Sequence, residues 1–182
     1  MKKVIAVVAD GFEETELIGT VDCLRRLKVD VTIAGVEKIE LKGSHNIILH
    51  ADKLFSEVSA ENFDAVFLPG GLPGATTLYD SAAVGKFIAE MNRAGKVISA
   101  ICAAPIVFAK AGVLEGKNFT MYPGFDSYLD GKEYSALPAV IDGNIVTGKG
   151  PGAVYAFAGA LAAALGLEAE CTELFKGMFV EL

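Results

Sequence analysis

Cys102 ends an apolar run, Val97-Ile98-Ser99-Ala100-Ile101, and is followed by Ala103-Ala104-Pro105 and the helix-like stretch Ile106–Ala111. A strand that turns sharply into a helix presents its turn residue at the carboxyl edge of a sheet, the geometry of a nucleophile elbow. A thiol there meets free backbone N–H groups and the positive end of a helix, and both favour thiolate. The pattern therefore predicts a Cys102 pKa below the ~8.5 of a free cysteine. The chemistry on offer is nucleophilic attack or reversible oxidation. The same local string also fits a small buried hydrophobe, the commonest fate of a free cysteine.

Three other segments are expected at the same edge. Asp10-Gly11-Phe12-Glu13-Glu14-Thr15-Glu16 follows a first strand and places Glu16 in the first turn of a helix. Desolvation would raise the pKa of Glu16, and its protonated form can donate to a thiolate. Acidic residues at a helix start also simply complement the macrodipole. Leu68-Pro69-Gly70-Gly71-Leu72-Pro73-Gly74 lets backbone approach a ligand closely, and the N–H groups of Gly71 and Ala103 would make an oxyanion hole. Thr147-Gly148-Lys149-Gly150-Pro151-Gly152-Ala153 is a strand-to-helix turn that fits either an anion site or an ordinary structural turn. No GxxxxGK[ST] phosphate loop is present. The two histidines, His45 and His50, both precede the cysteine in a region of short strands, so a Cys–His base pair is hard to assemble. Tyr122, expected on the strand after the cysteine's helix, is a further polar candidate or a packing residue.

The elements that must position these groups follow from periodicity. Lys3–Ala9, Val29–Ala34, Ala65–Leu68 and Lys96–Ala100 read as buried strands, and Ile39–Leu41 with Asn46–Ala51 as short ones. Glu14–Leu27, Ser81–Ala94 and Val154–Leu165 read as helices, and Asp142-Gly143 as a hairpin turn. Alternating strands and helices predict an α/β fold with a mostly parallel sheet, whose ligands bind beyond the strands' carboxyl ends. The 182 residues suffice for one domain, 1–182, with no linker dividing it. The chain is 52% hydrophobic, and its net charge of −7 with no basic stripe argues against nucleic acid as a main ligand. No apolar run reaches the length of a membrane span. Cys23, Cys102 and Cys171 are widely spaced, which fits a reducing cytoplasm better than a disulfide framework, and no closely spaced His/Cys cluster suggests a metal site.

In order and with fitting spacing, ADGFEETE (9–16), VDCLRR (21–26), FLPGG (67–71), AICAAP (100–105) and GPG (150–152) resemble the ThiJ/PfpI superfamily. The closest likeness is to its small single-domain branch of Parkinsonism-associated deglycase and bacterial YajL-type proteins. The resemblance implies a flavodoxin-like three-layer sandwich akin to class I glutamine amidotransferases, and commonly a homodimer. It carries the nucleophilic, oxidisable thiol onto Cys102, the protonated carboxyl onto Glu16 and the oxyanion amides onto Gly71 and Ala103. It implies no cofactor and no metal. Two departures matter. Ala103 stands where PfpI-type peptidases have a histidine beside the cysteine. Tyr122 stands where the deglycase has a histidine, and a phenol of pKa about 10 is a poor proton shuttle.

Three functions follow as expectations. The first is glyoxalase- or deglycase-type action on a reactive carbonyl or a glycated protein. The second is a redox-sensing, chaperone-like role for an oxidisable Cys102 with little catalysis. A cysteine peptidase or amidase is disfavoured by Ala103. In a homodimer, His45 would approach the partner's Cys102 pocket, completing a site that has no histidine of its own.

Overall fold

The computed structural model describes residues 1–181. Its strands are β1 (Lys3–Val8), β2 (Asp30–Gly35), β3 (Glu40–Lys42), β4 (Ile48–His50), β5 (Lys53–Leu54), β6 (Ala65–Leu68), β7 (Val97–Ile101), β8 (Ala139–Asp142) and β9 (Ile145–Gly148). Its α-helices are α1 (Glu14–Arg26), α2 (Gly74–Asp80), α3 (Ala82–Arg93), α4 (Pro105–Lys110), α5 (Val154–Ala164) and α6 (Glu168–Gly177). Seven strands form one sheet in the order β5-β2-β1-β6-β7-β9-β8, parallel except for the edge strand β8. Helices α1, α5 and α6 pack against one another, as do α2, α3 and α4, giving layers on both faces of the sheet. This is the expected mostly parallel three-layer α/β architecture.

Valine-rich β1 lies inside the sheet, between β2 and β6, because it has no polar side to offer water. Val4 to Val8 are fully buried, as a parallel strand covered on both faces requires. The chain leaves β1 for β2 on one side and later returns to β6 on the other. The segments following β1 and β6 thus diverge, opening a crevice at the carboxyl end of the sheet. Strand β7 extends the same edge, its register running from Ala65↔Val97 to Leu68↔Ala100 against β6. The side-chain layers meet at contacts such as Phe67–Phe157, whose ring centroids are 5.5 Å apart.

The short strands β3 and β4 form a separate antiparallel hairpin, paired from Glu40↔His50 to Lys42↔Ile48. Backbone bonds dock it on the loop after β1: Gly11 N–H donates to the Lys42 carbonyl at 2.7 Å, and Ser44 N–H to that of Phe12 at 2.9 Å. Two helices lie outside the periodicity-based expectations. Helix α2 is only seven residues long and starts at Gly74 among glycines and prolines. Helix α6 carries Cys171 and buries only Cys171 and Phe175, so its apolar stripe is too narrow to stand out. No helix among the described residues is long and apolar enough to cross a membrane.

Candidate active site

Cys102 follows β7 directly and has a left-handed backbone, φ 62°. For an L-residue this conformation costs about 1–2 kcal/mol, and it persists because both backbone groups are pinned. Cys102 N–H donates to the Gly148 carbonyl at the end of β9 (2.9 Å), while Tyr122 N–H donates to the Cys102 carbonyl (2.9 Å). The turn into α4 then aims the side chain at the crevice. Cys102 is 9% exposed, against 1% for Cys23 and 3% for Cys171.

Glu16 reaches the same point from α1. Glu13 caps that helix by accepting from Glu16 N–H at 2.7 Å, and the first turn holds the Glu16 side chain fully buried. Its Oε2 accepts from Gly70 N–H at 2.8 Å. Gly70 is the spacer of the site. A Cβ there would lie 2.6 Å from Cys102 Cβ and 2.8 Å from Glu16 Oε2, so only glycine fits between them. Next to it, Gly71 takes φ 89° with its backbone pressed against Phe12 and Glu13.

Burial pushes the Glu16 carboxyl up to about 7; hydrogen bonds from Gly70 N–H and the Cys102 thiol oppose this, and the Glu13 charge adds to it. Burial, then the charge and hydrogen bond of Glu16, push the Cys102 thiol up to about 12, against the N–H groups of Ala103 and Gly71. The expectation of a lowered thiol pKa is thereby overturned. The elbow's N–H groups act in the expected direction, but desolvation and the adjacent carboxylate outweigh them. The two groups titrate as one unit. The first proton leaves near 7 and the second only far above it. Glu16 Oε1 is buried without a hydrogen-bond partner.

Four of the expected residues therefore converge: Cys102, Glu16 and the N–H groups of Gly71 and Ala103. Tyr122 lies beside them by its backbone bond to Cys102, with its side chain 48% exposed. It belongs to no strand of the sheet, contrary to expectation. The Pro123-Gly124 pair that follows it ends the extended run after the single Thr120–Ser135 bridge.

His45 lies instead at the tip of the β3–β4 hairpin and binds Glu14 of its own chain. Its Nδ1 is 2.8 Å from Glu14 Oε2, and its N–H donates to Oε1 at 2.7 Å. Burial opposes ionisation of Glu14, but the bonds from His45 and Ile47 prevail and hold its carboxyl down at about 2. The same bond to Glu14 raises the His45 pKa. Glu13, Glu14 and His45 each bring a potential metal-ligand atom within 4.8 Å of the others. Their polar atoms are already engaged in capping α1 and clamping the hairpin. Sequence reasoning passed over Glu13 and Glu14 as macrodipole partners and did not single out Gly70 as a spacer. The only available signals were the three-residue step from Glu13 to Glu16 and the doubled glycine.

Residues 2–164 match the model of the DJ-1/PfpI family. The chain is similar to the Drosophila melanogaster protein dj-1beta, 38% identical over 98% of this chain and 97% of that one. It is also similar to the Pyrococcus furiosus deglycase PfpI, 34% identical over 85% of this chain and 94% of that one. Among solved structures, Drosophila melanogaster DJ-1beta superposes with a TM-score of 0.93 at 37% identity, covering 100% and 99% of the two chains. Oxidised Toxoplasma gondii DJ-1 superposes with a TM-score of 0.93 at 31% identity, covering 100% of both.

Proposed function

The chain belongs to the DJ-1/PfpI family, and from that premise we propose that it is a cysteine-dependent stress-response protein of glyoxalase or deglycase type. Its substrates are reactive 2-oxoaldehydes or glycation adducts, and it works without metal or cofactor. One observation carries this reading: a buried carboxyl with a pKa of about 7 lies beside a thiol on a strained elbow. A group that titrates near neutrality both takes and gives a proton readily.

In the proposed cycle the Glu16 carboxylate takes the thiol proton as the sulfur becomes the nucleophile. Sulfur attacks the aldehyde carbon of methylglyoxal, and the N–H groups of Gly71 and Ala103 receive the developing oxyanion as a hemithioacetal forms. Glu16, deprotonated in delivering its proton to that oxygen, removes the C–H proton and returns one to the neighbouring carbon. The result is a lactoyl thioester. Water hydrolyses it to lactate and restores the thiol, so the net change is addition of one water with no external oxidant. On a hemiaminal of methylglyoxal and an amine, sulfur displaces nitrogen at the carbinol carbon, the C–N bond breaks, the proton that Glu16 took from the thiol goes to the leaving amine, and the same hemithioacetal results.

Tyr122 stands where the resemblance places a histidine, so turnover is expected to be slow. Tyr122→His should raise it by adding a base of the right pKa. The test is lactate formation from methylglyoxal, with Cys102→Ser as background. Loss in both Cys102→Ser and Glu16→Gln is expected, and no lactate above the Cys102→Ser level would falsify the catalytic reading. The partnerless Glu16 Oε1 favours a second reading. Peroxide would oxidise Cys102 to a sulfinate whose oxygen accepts from protonated Glu16, as a redox sensor with a chaperone-like role requires. A peptidase is disfavoured because Ala103 follows the cysteine. We further propose a cytoplasmic homodimer of single-domain chains, with α1 and the β3–β4 hairpin at the interface and His45 facing the partner's site.

A further inference from the structure

A cavity of ≈370 Å³ opens beside the elbow, lined by Tyr122, Pro123, Pro138, Lys149 and the turn Gly150–Ala153. Two backbone hydrogen bonds tie its wall to the elbow. Gly148, whose carbonyl fixes Cys102 N–H, precedes Lys149, and Tyr122, whose N–H fixes the Cys102 carbonyl, lays its ring against Gly150. The volume falls in the range of sites that enclose a small organic ligand and far exceeds what methylglyoxal fills.

Lys149 is the charged group in this wall. Lys149 forms no ion pair among the described residues, and its Nζ only touches the Ala136 carbonyl at 3.3 Å. An ammonium has three protons to donate, so two remain for a ligand. In a chain of net charge −7, a cation without an acidic partner beside the nucleophile selects for anions.

We propose that this cavity is a carboxylate subsite and Lys149 its specificity-determining residue. The ligands are adducts of 2-oxoaldehydes with amino acids, thiols or peptides that keep a free carboxylate. The reactive carbon lies at Cys102, the apolar body packs on Pro123 and Pro138, and the carboxylate pairs with Lys149. This rests on the carbonyl-directed reading of the site, which it narrows to anionic substrates.

Two measurements on the full chain test it. The first compares turnover of the methylglyoxal hemithioacetal of N-acetylcysteine with that of its uncharged methyl amide. The wild type should favour the anion about tenfold in KM, the value of one charge-assisted bond. Lys149→Met should erase the preference for the anion, and Lys149→Arg should keep it. The second needs no turnover. N-acetylglycine should slow alkylation of Cys102 by iodoacetamide, its amide should not, and Lys149→Met should abolish the protection. Protection without turnover would uphold the subsite and refute the catalytic reading. Equal protection by acid and amide, or protection unaltered in Lys149→Met, would overturn the subsite.

Discussion

At the scale of single residues, the site depends on a carboxyl kept from ionising. Glu16 has a folded pKa of about 7 against a reference value of 4.5, so the native state binds the proton more tightly. Stability from this group is therefore full below pH 4.5 and falls as pH rises through 7. The loss amounts to about 3 kcal/mol at 1.36 kcal/mol per unit. Urea denaturation of wild type and Glu16→Gln at pH 4.5, 6 and 8 should show the difference shifting in favour of the variant as pH rises. A difference independent of pH would contradict the buried-acid assignment. Gly70→Ala should cost about 1–3 kcal/mol, because its Cβ has no room between Cys102 and Glu16. Limiting iodoacetamide should modify Cys102 before Cys23 or Cys171. Exposure is the reason, since burial first of all raises all three thiols. Peptide mapping that finds Cys23 or Cys171 labelled first in folded protein would contradict the order.

At the scale of elements, the hairpin β3–β4 hangs on one carboxylate. Glu14 accepts from His45 and Ile47 backbone N–H groups and from the His45 ring. Its folded pKa of about 2 lies below the reference 4.5, so the anchor holds above 4.5 and is lost as pH falls toward 2. Hydrogen-exchange protection of the His45 amide should drop over that interval, and Glu14→Gln should show the drop at neutral pH. Unchanged protection in Glu14→Gln would show that backbone docking on Gly11 and Phe12 suffices. The strands and the long helices were legible because their apolar residues repeat at the right period. So was the elbow, because an abrupt change from apolar run to small residues and proline is a local event. Helix α6, the loop carrying Tyr122 and the thiol's upward shift were not. Each is decided by residues distant in the chain, Glu16 acting on Cys102 being the clearest case. Lys149 was visible only as part of a glycine turn, since what distinguishes it is its place in one cavity wall with Tyr122, Pro123 and Pro138, residues distant in the chain.

At the scale of the whole molecule, Ile18, Ile47 and Ile48 remain about half exposed, at 45%, 51% and 58%. They lie on α1 and the hairpin, close to the Glu13–Glu16 segment, where an isologous contact would bury them and bring two sites together. Light scattering at micromolar concentration should give about twice the chain mass of 19.1 kDa, and Ile48→Asp should shift it toward the monomer. A stable monomer in the wild type would remove the partner's His45 from any role.

The pinning of Cys102 N–H by Gly148 also governs when the protein first becomes able to act. Strand β9 is the last of the parallel strands in chain order, so the hydrogen bond that pins the elbow cannot form until residue 148 has been made. Ribosomes add roughly 5–20 residues per second, so a nascent chain carries its cysteine for a few seconds with neither fixed geometry nor oxyanion amides in register. During that interval the thiol is an ordinary one, not yet coupled to Glu16 or sheltered by the sheet, and open to the very carbonyls and peroxides that the finished fold would meet. Newly made chains in stressed cells are therefore expected to accumulate adducts on Cys102 that block closure of the sheet. Such damage would register as loss of yield, whereas the same reagent acting on mature protein would register as turnover or oxidation.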